Sequence, residues 1–276
     1  MRRRHTLRRV AVPFGQILLA IVILLPFFWM LSVSLKPPTE PFAIPARLWP
    51  AHPTLANYGA VLRPAFERYF LNSIVVCAAT LAITVPLALL AAYAFTRFQL
   101  RVLRIVMIAV ILAQLFPSSA IIIPIYRMVK AADLLNTYAA LIIAYITITL
   151  PVAIWMLQGF LANIPAALEE AAAVDGATRL RAFFAVVVPL CRPGLVASSV
   201  FILIVTWQEF LFALSFTSTK EMATLPVGMN DYIGQFGIHY GALMASSVLV
   251  SLPVVLAFFL VQRQFVAGLT AGSVKG

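Results

Sequence analysis

Six apolar runs of membrane length, at roughly 13–35, 70–95, 105–128, 137–160, 193–216 and 241–262, divide the chain. A helix needs about 20 mostly apolar residues to cross a bilayer. Lipid offers no partners to backbone N–H and C=O groups, so only helices and closed barrels span it. Barrel strands alternate apolar and polar residues over about ten positions. The runs here are longer and continuously apolar, which excludes a barrel. Composition agrees: 63% of the 276 residues are hydrophobic and 11% are charged, against roughly 25% charged in soluble chains. The expected fold class is all-α, a polytopic transmembrane protein with six helices. One domain over residues 1–276 is expected, with a core at about 70–263.

The net charge of +11 is explained by topology rather than by a nucleic-acid partner. Arg2, Arg3, Arg4, Arg8 and Arg9 precede the first run, and Arg97, Arg101 and Arg104 follow the second. Arg179, Arg181 and Arg192 follow the fourth, and Arg263 and Lys275 follow the sixth. The alternate loops hold fewer bases: Lys36, Arg47, Arg63 and Arg68, then Arg127 and Lys130, then Lys220. The richer side belongs in the cytoplasm. Both termini and the segment 161–192 are therefore expected there. The first run is longer than the apolar region of a signal peptide and lacks a small-x-small cleavage site, so it reads as an uncleaved span. Cys77 and Cys191 fall at different depths and read as buried, unpaired thiols.

Several chemistries lack their residues. No G-x-x-x-x-G-K-[ST] phosphate loop occurs, so ATP binding by this chain is not expected. His5, His52 and His239 stand apart from any ligand set, and no metal site is expected. Pro26, Pro86, Pro117, Pro124, Pro151 and Pro253 lie inside the runs. Each removes a helical hydrogen bond and favours a kink. Prolines at 37, 38, 41, 45, 50 and 53 exclude a regular helix from most of 36–69, with a short amphipathic stretch around Leu55–Leu62. The segment Thr217 to Tyr240 reads as flexible.

Residues 161–192 are the most informative polar segment. Pro165 suits a first helical turn, and Glu169 and Glu170 suit the positive end of the helix dipole. Ala171, Ala172 and Ala173 favour helix with little bulk. Gly176 permits the left-handed residue that stops it. Thr178 can cap a second helix from Arg179 toward Val188, before Pro189. The expected product is a helix–Gly–helix elbow. Its slim Ala face suits a groove on another protein, although an ordinary connecting loop would use the same glycine stop.

The string Glu170-Ala171-Ala172, three residues, Gly176, nine residues, Val186, one residue, Val188-Pro189 resembles the EAA loop of permease subunits in ABC importers. In that family the loop docks on the ATP-hydrolysing subunit. The family usually has Ile and Leu where Val186 and Val188 stand. Phe70-Leu71-Asn72-Ser73 and Ala91-Ala92-Tyr93-Ala94-Phe95-Thr96-Arg97 resemble the start and end of the family's first core helix. Trp207-Gln208-Glu209-Phe210 resembles its W-N-E-F segment, with Gln in place of Asn. The tail from Val266 to Gly276 resembles that of the shorter, maltose-type permease, which reaches between the ATPase subunits.

The resemblance implies the type I importer architecture and a place in the bacterial cytoplasmic (inner) membrane. It implies one half of a translocation pathway for a carbohydrate. Implied partners are a second permease subunit, two ATPase subunits carrying ATP and Mg, and an extracytoplasmic binding protein. Glu169, Glu170, Ala171, Ala172, Asp175, Gly176 and Pro189 are the implied coupling residues. Thr270, Gly272 and Ser273 are the implied tail contacts to the ATPase. Trp207, Glu209 and Phe210 are candidates for the substrate path. Glu209 reads equally as a hydrated carboxylate near the membrane surface. Two other readings stay open: an importer for another solute, such as a glycerophosphodiester, and a secondary transporter, which would need two repeated halves with broken helices.

Overall fold

The computed structural model describes residues 2–38, 40–42, 45, 47–98, 100–234 and 237–271. Its helices are α1 (Arg2–Ser34), α2 (Ala56–Val61), α3 (Pro64–Arg97), α4 (Arg101–Ala113), α5 (Ser118–Ala131), α6 (Tyr138–Leu161) and α7 (Ala167–Val174). They continue as α8 (Arg179–Ala182), α9 (Val188–Leu190), α10 (Arg192–Trp207), α11 (Leu211–Phe216), α12 (Leu225–Met229) and α13 (Tyr240–Ala271). Two compact units result: residues 1–66 with 229–252, and residues 67–228 with 253–276.

In the first unit, the chain leaving α1 is gathered on Asn57 of α2. The Asn57 amide donates to the carbonyls of Ser34, at 2.9 Å, and Lys36, at 2.8 Å. The Ser34 hydroxyl meets that of Tyr58 at 2.8 Å. Lys36 is only 1% exposed. Its ammonium donates to the Arg47 carbonyl at 2.6 Å and lies 4.5 Å from the centre of the Trp29 ring. A carbonyl and an aromatic face thus replace the water that a lysine normally keeps. A small hairpin pairs Ile233 with Ile238 and Gly234 with Gly237.

The second unit has two apolar clusters. One joins Ala88 and Ala92 of α3, Leu157 and Leu161 of α6, Ile202 of α10, and Phe183 and Val187. The other joins Val76 of α3, Leu141 and Tyr145 of α6, and Phe212 and Phe216 of α11. α6 is common to both, and α10 lies along it. Gly194 permits that approach: a Cβ there would come within 2.7 Å of the Phe160 ring.

The all-α expectation holds, but not every span is continuous. Among the described residues, four helical stretches are long and apolar enough to cross a bilayer: Val12–Ser34, Pro64–Arg97, Tyr138–Leu161 and Tyr240–Phe259. A fifth candidate is a bent pair, Arg179–Leu190 with Arg192–Trp207, at 72° to each other. The run expected at 105–128 is instead α4 and α5, separated at Gln114–Pro117. Pro117 takes an extended ψ of 140°; it has no N–H to donate, and it disfavours helix in the residue before it. The run at 193–216 breaks at Gln208–Phe210, between α10 and α11.

The segment read as flexible, Thr217 to Tyr240, contains short helices and the hairpin. Asn72 anchors its first half, its amide donating to the carbonyls of Glu221 and Ala223, each at 2.8 Å. The Ser73 hydroxyl accepts from the Leu225 amide at 2.9 Å, and Tyr138 donates to the Asn72 side-chain oxygen at 2.6 Å. Asn72 and Ser73, inside α3, thus hold a distant backbone that composition alone describes as loose.

Candidate functional site

The elbow is built as its residues dictate. The Leu168 amide donates to the Pro165 carbonyl at 3.2 Å, so the proline begins the first turn. α7 ends with the Gly176 amide on the Ala173 carbonyl, at 3.0 Å, and the Ala177 amide on the Ala172 carbonyl, at 2.9 Å. This pair of bonds is a Schellman stop. It requires the left-handed backbone found at Gly176, φ +86°. No atom lies within 4 Å of where a Cβ would be, so backbone geometry rather than space calls for glycine. Thr178 then caps α8, its hydroxyl accepting from the Arg181 amide at 3.3 Å. The second arm runs through α8, a π segment at Phe183–Val187, and α9 with Pro189.

The two faces of the elbow differ. Ala182, Phe183 and Val187 are buried, the last two in one cluster with α3 and α6. Leu168, Val174, Leu180 and Phe184 are exposed, Val174 by 87%. Glu170, Ala171, Asp175, Gly176 and Pro189 are exposed as well, and Ala172 is half-buried. A slim apolar tip with two free-facing carboxylates therefore projects from a buried base.

Glu169 turns the other way. Its Oε1 accepts from the Arg97 Nε at 2.6 Å and its Oε2 accepts from the Tyr93 hydroxyl at 2.6 Å. Arg97 also donates through Nη2 to the Ile164 carbonyl at 2.8 Å. The final turn of α3 thus holds the elbow. Tyr93 and Arg97 belong to a recognisable string, but their pairing across more than seventy positions has no local signal. A basic residue ending one apolar helix and an acidic residue opening a short one are the only cues.

The three residues assigned to a substrate path lie at the break after α10. Trp207 is buried, with the Phe70 ring edge-on at 5.9 Å. Glu209 is half-buried, and its two oxygens accept from the amides of Phe212, at 2.9 Å, and Ala213, at 3.1 Å. It caps α11, where a carboxylate meets unpaired N–H groups and the positive end of the helix. Phe210 is half-buried beside it. Of the tail residues, Thr270 has helical backbone in α13; Gly272 and Ser273 lie outside the described residues.

The profile of the family described as "Binding-protein-dependent transport system inner membrane component" matches residues 84–270, from within α3 to the end of α13. The chain belongs to that family. The permease is 38% identical over 254 residues to the sulfoquinovosyl glycerol transport system permease protein SmoH of Agrobacterium fabrum, covering 92% of this chain and 89% of that one. It is 34% identical over 278 residues to the trehalose/maltose transport system permease protein MalG of Thermococcus litoralis, covering 99% of both. Its fold matches a chain in the crystal structure of a bacterial ABC transporter that imports the acidic polysaccharide alginate. There the TM-score is 0.80 at 21% identity, with 94% of this chain and 97% of that chain covered. The permease is a multi-pass inner-membrane subunit of an ABC-type importer, not the enzyme of the system. A secondary transporter is ruled out by the family.

Proposed function

We propose that this permease forms half of the membrane pathway for a sugar-containing solute and couples to a cytoplasmic ATPase through residues 165–189. The observation that carries the coupling is the exposed apolar tip of the elbow, Leu168, Val174, Leu180 and Phe184, set on a buried base. Exposed apolar side chains on a rigid polar-rimmed projection mark a protein contact. Glu170 and Asp175 add charge at its edge. The remaining parts are a second permease subunit, two ATPase subunits that bind ATP and Mg, and a binding protein outside.

The carbohydrate class is supported by the relatives named above, whose solutes carry sugar rings. Trp207 is buried against Phe70, and Glu209 is spent on capping α11, so their part in the path is shaping the break. Both termini and the elbow lie in the cytoplasm on this reading, as the distribution of Arg and Lys requires.

The test is assembly with the partner ATPase. Leu180→Asp should accumulate in the membrane at normal level and lose the ATPase on purification. Retention of the ATPase at full stoichiometry would sink the docking assignment. Binding of a panel of oligosaccharides and glycerophosphodiesters to the partner binding protein decides the solute class.

A further inference from the structure

The elbow is tied to the rest of its unit by more than the chain. Arg97, the last residue of α3, reaches two elements at once: Glu169 of α7 and the Ile164 carbonyl just beyond α6. One turn earlier, Tyr93 takes the second Glu169 oxygen, and its ring meets that of Phe183 edge-on at 4.8 Å. Phe183 opens the π segment of the second arm. The end of α3 therefore grips both arms of the elbow and the end of α6. The Arg97 and Glu169 side chains are only 16% and 14% exposed. Glu170, the next residue, is exposed.

We propose that Tyr93, Arg97 and Glu169 form a clamp that passes movement of the elbow directly into α3. Arg97 and Tyr93 are then positioning residues for energy coupling, and Glu169 and Glu170 have different tasks. This inference rests on the elbow being the ATPase-docking part. Without the clamp, the first arm connects to α6 through the short turn at 162–166, which would bend and absorb the displacement. With it, charge-assisted bonds on both carboxylate oxygens make the elbow and the ends of α3 and α6 one body. Loss of Arg97 leaves a largely buried carboxylate without its cation. The first arm then gains by swinging Glu169 to water.

The test uses the complete transporter in lipid nanodiscs, with Cys77 and Cys191 replaced and spin labels at Val174 on the elbow and Leu87 on α3. The clamp requires one narrow Val174–Leu87 distance, the same with and without ATP and Mg. Arg97→Ala and Glu169→Gln should broaden it and make it change with ATP. ATP-driven transport should fall in the roughly 5–150-fold range typical of coupling between sites. Tyr93→Phe keeps the ring contact and should lie between these and the wild type. Glu170→Gln should weaken ATPase retention and leave the distance unaltered. Arg97→Lys keeps a cation within reach of Glu169 and should recover part of the narrow distance and of transport; Glu169→Gln, which leaves Arg97 its bond to Ile164, decides the matter if Arg97→Ala fails to accumulate. An unchanged distance and undiminished transport in Arg97→Ala or in Glu169→Gln would overturn the clamp. A wild-type complex that holds no ATPase at the elbow would instead overturn the docking reading, and the clamp's task with it.

Discussion

Glu169 and Glu170 leave the same turn of α7 for different surroundings, one bound to Arg97 and Tyr93 and one exposed. Residue type alone does not separate them; a periodicity of 3.6 places neighbours about 100° apart, and the buried side of α7 is set by distant residues. Gly176 is the opposite case, because its demand is local. Gly176→Val forces a branched side chain into a left-handed backbone, at a cost of roughly 1–2 kcal/mol. That is small beside the packing of the unit but falls wholly on the elbow. Membrane abundance should stay near normal while transport drops. Wild-type transport by this variant, at matched abundance, would mean that the Schellman stop does not matter to docking. At Glu209, Ala removes the cap of α11 and should cost about 0.5–2 kcal/mol. Glu209→Gln keeps one of the two accepting oxygens and should retain part of that stability. Thermal unfolding in detergent reads the difference, and equal losses in the two variants would show that charge, not capping, is what Glu209 supplies.

Helix boundaries show where apolarity stops being informative. The run 105–128 reads as a span because its composition is uniform, yet Pro117 divides it. Pro26, Pro86, Pro124, Pro151 and Pro253 sit within continuous helices. A proline breaks a helix only where nothing else in the packing rescues the lost bond, and packing is not a local property. The elbow was legible because its start, stop and second cap depend on residues within a few positions of one another. The order in the segment after α11 was not, because Asn72 and Ser73, 149 and 152 positions from the groups they bind, supply its bonds. Asn72→Leu tests that link. It strips the partner from the buried Ala223 carbonyl, at about 1–3 kcal/mol, and from the Glu221 carbonyl and Tyr138 hydroxyl, which lie nearer the surface and cost less. Limited proteolysis should then cut near Glu221 at a rate the wild type does not show. Unchanged protection would show that apolar packing of Leu225 holds the segment by itself.

For the whole molecule, the proposed sidedness rests on the distribution of Arg and Lys, which puts the elbow in the cytoplasm and the segment after α11 outside. Cysteines at Arg179 and Thr219 should therefore react with an impermeant reagent from opposite faces of the membrane, Arg179 only from the cytoplasm. Labelling of both from one face would overturn the topology, and labelling of Arg179 from outside would remove any route to a cytoplasmic ATPase. The most direct test of the coupling claim is contact itself. A photo-crosslinking residue at Val174, in the assembled transporter, should capture the ATPase subunit, identified by mass. The same residue at Leu252, exposed within the apolar helix α13, should not. Capture at neither position, or equally at both, from a complex that purifies intact would contradict the elbow as the docking surface.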